Sequence, residues 1–191
     1  MLILFIRHGR TDWNAARRIQ GRTDIPLSAD GRAEQAERQV PPTFAAARCL
    51  SSPLARARET AELIGSPEPE IAPALIEMDF GDWEGRTHAE LITHDPEAMR
   101  AAEARGLDMR PPGGESPREV MDRIVGLLTT RDDERIVAVT HKGVIRAGFA
   151  AALGWDMTDD LPFRVDWQAG HLFSFQDGEL SLVQANLELS R

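Results

Sequence analysis

Short apolar runs along the chain alternate with segments whose apolar positions recur at helical spacing. LILFI (Leu2 to Ile6), ARCLSS (Ala47 to Ser52) and RIVAVTH (Arg135 to His141) are partly β-branched and bounded by polar or glycine-containing turns, as expected for strands buried on both faces. Between them, LSADGRAEQAERQV opens on Ser28 as an N-cap, and PLARARETAELIG begins at Pro53 and stops at Gly65, proline at the start and glycine past the end of a helix. SPREVMDRIVGLLTTR has Ser116 as cap, Pro117 in the first turn and Glu119 at the capping-box position. Its Val120, Ile124, Leu127 and Leu128 share one face. GVIRAGFAAALG predicts a further helix ending at Gly154, and HLFSFQDGELSLVQANL reads as a hairpin about Asp177 and Gly178.

Strands alternating with helices predict a three-layer α/β/α sandwich with a mostly parallel central sheet, the terminal hairpin adding an antiparallel edge. The 191 residues fit one domain. Residues 81–115, of mixed helical and loop character around Trp83, are expected to form a small lid-like insertion or side lobe.

Charge and composition exclude several classes. A formal net charge of -9 argues against a general nucleic-acid binder, whose footprint is a broad basic face. No apolar stretch approaches the roughly 20 residues that span a bilayer. Cys49 is the only cysteine and has no partner for an internal disulfide, and Arg7 and His8 interrupt the first apolar run too early for a signal peptide. A cytoplasmic location is expected. The oligomeric state stays open, a homodimer included.

The candidate chemistry lies where the strands end. LILFI runs into Arg7 and His8, ARCLSS into Pro53 and then Arg56, and RIVAVT into His141. In a parallel sheet these carboxyl ends share one edge, so residues remote in sequence meet in one cationic crevice. Helix starts at two of the three points are expected to add backbone N–H groups. Two arginines and two histidines suit a phosphoryl group better than a carboxylate, because it has more oxygens to satisfy. His88, His94 and His171 have no partner at a ligand spacing such as HExxH, so no metal and no cofactor are expected. Trp13 and Trp83 are expected to pack the motif loops.

RHG at Arg7 to Gly9, TDWN, RIQGRTDIPLS, SSPLARARETA, LIEMDFGDWEG, PGGES and VTHKGVIR, in that order to about Arg146, closely resemble the histidine phosphatase superfamily in its phosphoglycerate-mutase-like branch. The FGDWEG and PPGGES elements are similar to the short phosphatase members, alpha-ribazole phosphatase among them. The resemblance implies that His8 is the residue phosphorylated in turnover, that Arg7, Arg56 and His141 bind the transferred phosphate, and that Glu77 is the proton donor. It also implies that Thr11 and Asn14 touch phosphate or substrate, while Arg18, Gln20 and Gly21 shape the loop.

The chemistry so implied is that of a metal-independent, histidine acid-type phosphomonoesterase. A neutral His8 imidazole attacks phosphorus, its second ring nitrogen held by a backbone carbonyl, and the product is a phosphohistidine. Arg7, Arg56 and a protonated His141 are expected to balance the charge of the loose transition state, with Glu77 as acid and then base. The expected partner is a small phosphate ester. A phosphoglycerate mutase and a non-catalytic phosphoprotein-binding module are the competing readings. Arg10 and Lys142, the only lysine, depart from the family's pattern. They either meet a second anionic group on the substrate or reach into water.

Overall fold

The computed structural model describes residues 1–66 and 68–189. Among them, β1 (Leu2–Arg7), β2 (Arg48–Ser51), β3 (Glu70–Ile71), β4 (Arg135–Thr140), β5 (Gly170–Gln176) and β6 (Glu179–Leu187) form one sheet in the order β3-β2-β4-β1-β5-β6. The first four strands are mutually parallel, with Leu2 opposite Arg135 and Cys49 opposite Val137. The β5–β6 hairpin lies antiparallel beside β1 and closes one edge. Asp177 and Gly178 both take positive φ (54° and 85°), the two left-handed positions that a two-residue turn of matching twist requires.

Seven α-helices flank the sheet among the described residues: α1 (Asp12–Ala15), α2 (Ala29–Ala36), α3 (Ala55–Leu63), α4 (His88–His94), α5 (Pro96–Glu103), α6 (Pro117–Thr129) and α7 (Lys142–Leu153). Side chains alternate across β1. Ile3 and Phe5 pack with Val120, Ile124 and Leu128 of α6 and with Val144, Ile145 and Phe149 of α7. Leu4 and Ile6 pack on the opposite face with Phe44 and with Ala57, Ala61 and Ile64 around α3. Both faces of the sheet are therefore covered, which is the three-layer α/β arrangement.

The helix boundaries follow local chemistry. Ser28 accepts from Gly31 N–H, Ser116 and Glu119 form a reciprocal capping box, and Gly154 ends α7 in the left-handed region. The two-residue β3 has no counterpart in the sequence reading. It is too short for periodicity, and both its residues are exposed. Residues 81–115 build a side wall in which Asp95 ends α4 and caps α5, while Leu91 and Met99 turn inward. No helix among the described residues is long and apolar enough to cross a membrane.

Candidate active site

The parallel register aligns three strand ends. Arg7 lies opposite Thr140 and Ser51 opposite Val139, and each ladder continues one residue further: His8 N–H donates to Thr140 O (2.9 Å), and Ser52 N–H to Val139 O (3.0 Å). His8 and His141 therefore leave neighbouring strands side by side, their ring centroids 5.1 Å apart. Gly9 turns the chain away after His8, its N–H donating to Thr60 Oγ1 on α3 (2.9 Å).

His8 is 6% exposed, and its Nδ1 lies 2.7 Å from Gly9 O. That carbonyl only accepts, so the ring proton sits on Nδ1 and the lone pair on Nε2. Burial, then the Arg7 and Arg56 charges, hold the His8 pKa well below the ordinary histidine value, against the opposing pull of the Gly9 bond. The ring is neutral at physiological pH.

His141 is fully buried, with Nε2 2.7 Å from Ser52 Oγ. The same hydroxyl accepts from Leu54 N–H (3.3 Å) and keeps a hydrogen and a second lone pair, so it can serve Nε2 as donor or as acceptor. Nδ1 has no partner among the described residues. Burial first, then His8, Arg56 and Arg7, lower the His141 pKa well below the usual value. The enclosed site on its own disfavours a third cation beside Arg7 and Arg56; the expectation of a protonated His141 applies with a phosphoryl group bound.

Arg56, on the first turn of α3, is fully buried, and its two terminal nitrogens donate to Thr23 O (2.9 Å) and Gly21 O (2.7 Å). Its Nε, like that of Arg7, is buried without a protein partner. Burial disfavours both guanidinium charges, and the Glu77 carboxylate favours them. The loop that presents the two carbonyls is held by Glu84, which accepts from Arg22 N–H (2.7 Å), Thr23 N–H (3.0 Å) and Thr23 Oγ1 (2.5 Å). Gly21 has φ of +53°, and a Cβ there would lie 1.8 Å from Glu84 Oε1. Glycine is the residue that permits both the backbone turn and the carboxylate's approach.

Glu77 follows a 3-10 turn, Pro73–Leu75, that is tied to the sheet by Thr140 Oγ1 donating to Leu75 O (2.7 Å). Its carboxylate is 7% exposed and accepts from Met78 N–H (2.8 Å) and Gly143 N–H (3.3 Å). Burial raises its pKa above the ordinary carboxylate value, opposed by those two N–H groups and by Arg56 and Arg7. Part of the N–H set expected at the two helix starts is already engaged within the protein. Gly143 N–H at the start of α7 serves Glu77, and Ala55 N–H at the start of α3 donates to Asp24 Oδ1 (2.8 Å). Arg7 Nε, Arg56 Nε and His141 Nδ1 are the buried side-chain atoms of the site without a partner among the described residues.

Arg7, His8, Asn14, Gln20, Gly21 and Glu77 line one cleft of about 590 Å³, whose outer wall is formed by Met78, Phe80, Trp83, Met99, Met109 and Met157. Thr11 stands outside the lining. Its side chain is the N-cap of α1, in a reciprocal box with Asn14, and its hydroxyl is committed to that helix start. Arg18 does shape the loop: it donates to Gly85 O, and the segment around Ile19 pairs with Arg86. Arg10 and Lys142 part company. Arg10 is exposed, pairs with Glu34 at 2.5 Å and lines a second cleft that shares Arg7, His8 and Asn14 with the first, whereas Lys142 lines the first cleft with Nζ 5.1 Å from the Trp167 ring centroid.

Ser52, Asp24, Glu84, Thr60 and Arg22 were not singled out by sequence reasoning, because each acts through a contact with a residue remote in the chain. Arg22 Nε donates to Glu77 O (3.4 Å), and Arg123 donates to Ile76 O (2.7 Å), so two arginines hold the backbone beneath the carboxylate. His88 pairs with Glu103 at the surface, and His171 is buried on β5 between Phe149 and Trp167.

The description that matches this chain, over residues 3–188, is Histidine phosphatase superfamily (branch 1). The chain belongs to the histidine phosphatase superfamily. It is 38% identical over 162 residues to phosphoglycerate mutase-like protein 4 of Arabidopsis thaliana, covering 78% of this chain and 70% of that protein. It is 37% identical over 167 residues to glucosyl-3-phosphoglycerate phosphatase of Mycolicibacterium vanbaalenii, covering 80% and 74%. The alpha-ribazole phosphatase of Shigella flexneri superposes over 100% of both chains with a TM-score of 0.76 at 28% identity. The chain spans about 60% of the length of several other curated relatives that it matches.

Proposed function

We propose that this histidine phosphatase family member is a metal-independent phosphomonoesterase that hydrolyses a small phosphorylated metabolite through a covalent phosphohistidine. The observation that carries the reading is the His8 ring: buried, neutral, with Nδ1–H fixed on Gly9 O and Nε2 free to attack beside His141 and the two arginines. A neutral nucleophile avoids the repulsion that an anionic one meets from a phosphate monoester.

In the first step Nε2 forms the P–N bond as the ester P–O bond breaks. Glu77, whose pKa burial raises and whose protonated form a docked phosphate dianion favours, gives its proton to the leaving oxygen. His8 keeps its Nδ1 proton and becomes cationic, stabilised by the Gly9 carbonyl. Arg7 Nε, Arg56 Nε and His141 Nδ1 are the buried donors available to the equatorial oxygens. In the second step Glu77, now ionised, takes a proton from water as it attacks phosphorus. The P–N bond breaks, phosphate leaves and both residues return to their starting state.

The test is intact-mass detection of an acid-labile adduct of one phosphoryl group after mixing with a small ester, together with phosphate release in a chelator. His8→Ala is expected to abolish the adduct, and Glu77→Gln to slow both its formation from alkyl esters and its hydrolysis. Turnover by His8→Ala at the wild-type rate refutes the reading. A second reading, a phosphoglycerate mutase, is supported by the similarity to the Arabidopsis mutase-like protein. It predicts transfer of the phosphoryl group between phosphoglycerates faster than release to water.

A further inference from the structure

Lys142 and Arg146 occupy successive turns of one face of α7, immediately after His141, and both line the site cleft. Both also line a smaller outer cleft of about 380 Å³ whose walls include Trp155, Trp167 and Arg164 and, on one side, Asp159 and Asp160. Lys142 Nζ lies 5.1 Å from the Trp167 ring centroid, and Arg146 Cζ 4.8 Å from that of Trp155. Trp155 is itself fixed, its indole N–H donating to Asp159 O (3.1 Å) and Oδ1 (3.0 Å). The two cations are thus held by aromatic faces with their polar edges unspent.

Neither forms an ion pair among the described residues. Burial disfavours both charges; Arg146 and Arg7 further disfavour that of Lys142, while Glu77 favours it and Asp160 favours that of Arg146, both from beyond ion-pair distance. Arg10, Arg32, Arg110, Arg118 and Arg131 all have carboxylate partners within 2.8 Å. Adjacent unpaired cations at i and i+4 repel, and a ligand anion is the species that relieves the repulsion.

We propose that Lys142 and Arg146 form a second anion subsite at the rim of the cleft, so that the enzyme prefers phosphomonoesters whose organic part carries a further carboxylate or phosphoryl group. This rests on the phosphatase reading for its catalytic consequence, and on the two side chains alone for binding. Arg10 has no part in it, because Glu34 already neutralises that guanidinium.

The test compares 3- and 4-carboxyphenyl phosphate with their carboxamides, and with the corresponding phosphonomethyl compounds, in wild type and in Lys142→Met/Arg146→Met. Wild type is expected to favour one of the doubly anionic esters over its carboxamide by about tenfold in kcat/KM, and the double variant to bring that ratio close to one. Whether the carboxylate or the phosphonomethyl series shows the larger ratio identifies the second anion. An unchanged ratio in the double variant overturns the proposal. Calorimetry with the same organic groups on a non-hydrolysable phosphonate separates the two readings. If no ester is turned over but the doubly anionic phosphonate binds more tightly, and only with both cations present, the subsite stands and the catalytic assignment falls. Equal binding of both phosphonates overturns the subsite whatever the turnover.

Discussion

A methyl group added at Gly143 tests the position of Glu77 without touching its chemistry. The Cβ of Gly143→Ala would lie 2.4 Å from Glu77 Oε1 and 3.3 Å from both Glu77 Cδ and Met78 Cβ. Ordinary contact begins near 3.4 Å, so the carboxylate must retreat by about 1 Å. It is held on the far side by Met78 N–H, and its backbone by Arg22 and Arg123, so the movement falls on the carboxylate itself. A displacement of that size from a catalytic geometry costs on the order of 100-fold in rate. The fold suffers less. Alanine favours the helix by about 1 kcal/mol and overpacking opposes it by about 1–3 kcal/mol, so Tm moves by only a few degrees. The assay is kcat/KM for an alkyl phosphate and for 4-nitrophenyl phosphate, with the phosphoenzyme burst recorded for the latter. Nitrophenolate leaves without a proton, so the expected result is a fall of about 100-fold for the alkyl ester and a burst rate within a few-fold of wild type. Equal losses on both esters, or none on either, refute the assignment of Glu77 as the positioned acid.

Two further substitutions probe groups around the site. Ser52→Ala removes the hydroxyl bonded to His141 Nε2; kcat/KM is expected to fall about tenfold with Tm nearly unchanged, and full activity would show that this bond does not orient the imidazole. His171 has its pKa lowered to about 4 by burial, so the unfolded chain takes up a proton near pH 6.5 while the folded protein does not. Its contribution to stability is present above pH 6.5 and is lost as pH falls toward 4. His171→Gln should therefore lose less Tm than wild type between pH 7 and pH 5, and an equal loss would remove His171 from the acid response.

The parts of the fold that local chemistry dictates were legible in the sequence. Ser28, Ser116, Gly154 and the Asp177–Gly178 turn all act within a few residues of themselves, and the structure repeats each one. The convergence of Arg7, His8 and His141 was legible too, because β1 and β4 are long enough to show their pattern and parallel strands align their ends. Glu77 was not readable from its surroundings, since Asp79, Asp82 and Glu84 have the same chemistry nearby. Only resemblance selected it, and what sets it apart in space is burial. The lowered pKa of His141 was not legible, because the cost of a further charge beside two buried guanidinium groups depends on enclosure, which no spacing reveals. Thr11 was assigned outward where its hydroxyl turns back onto its own helix.

The anchoring of Arg56 by Gly21 and Thr23 has a thermodynamic consequence for ligand capture. An arginine free to explore its rotamers surrenders about 2 kcal/mol of configurational freedom when it is immobilised. Here that loss is incurred once, as the polypeptide folds, and is not repeated at each catalytic cycle. On the proposed phosphatase reading the guanidinium meets an incoming phosphoryl group already aimed, so the free energy of that contact is not eroded by reordering of the side chain.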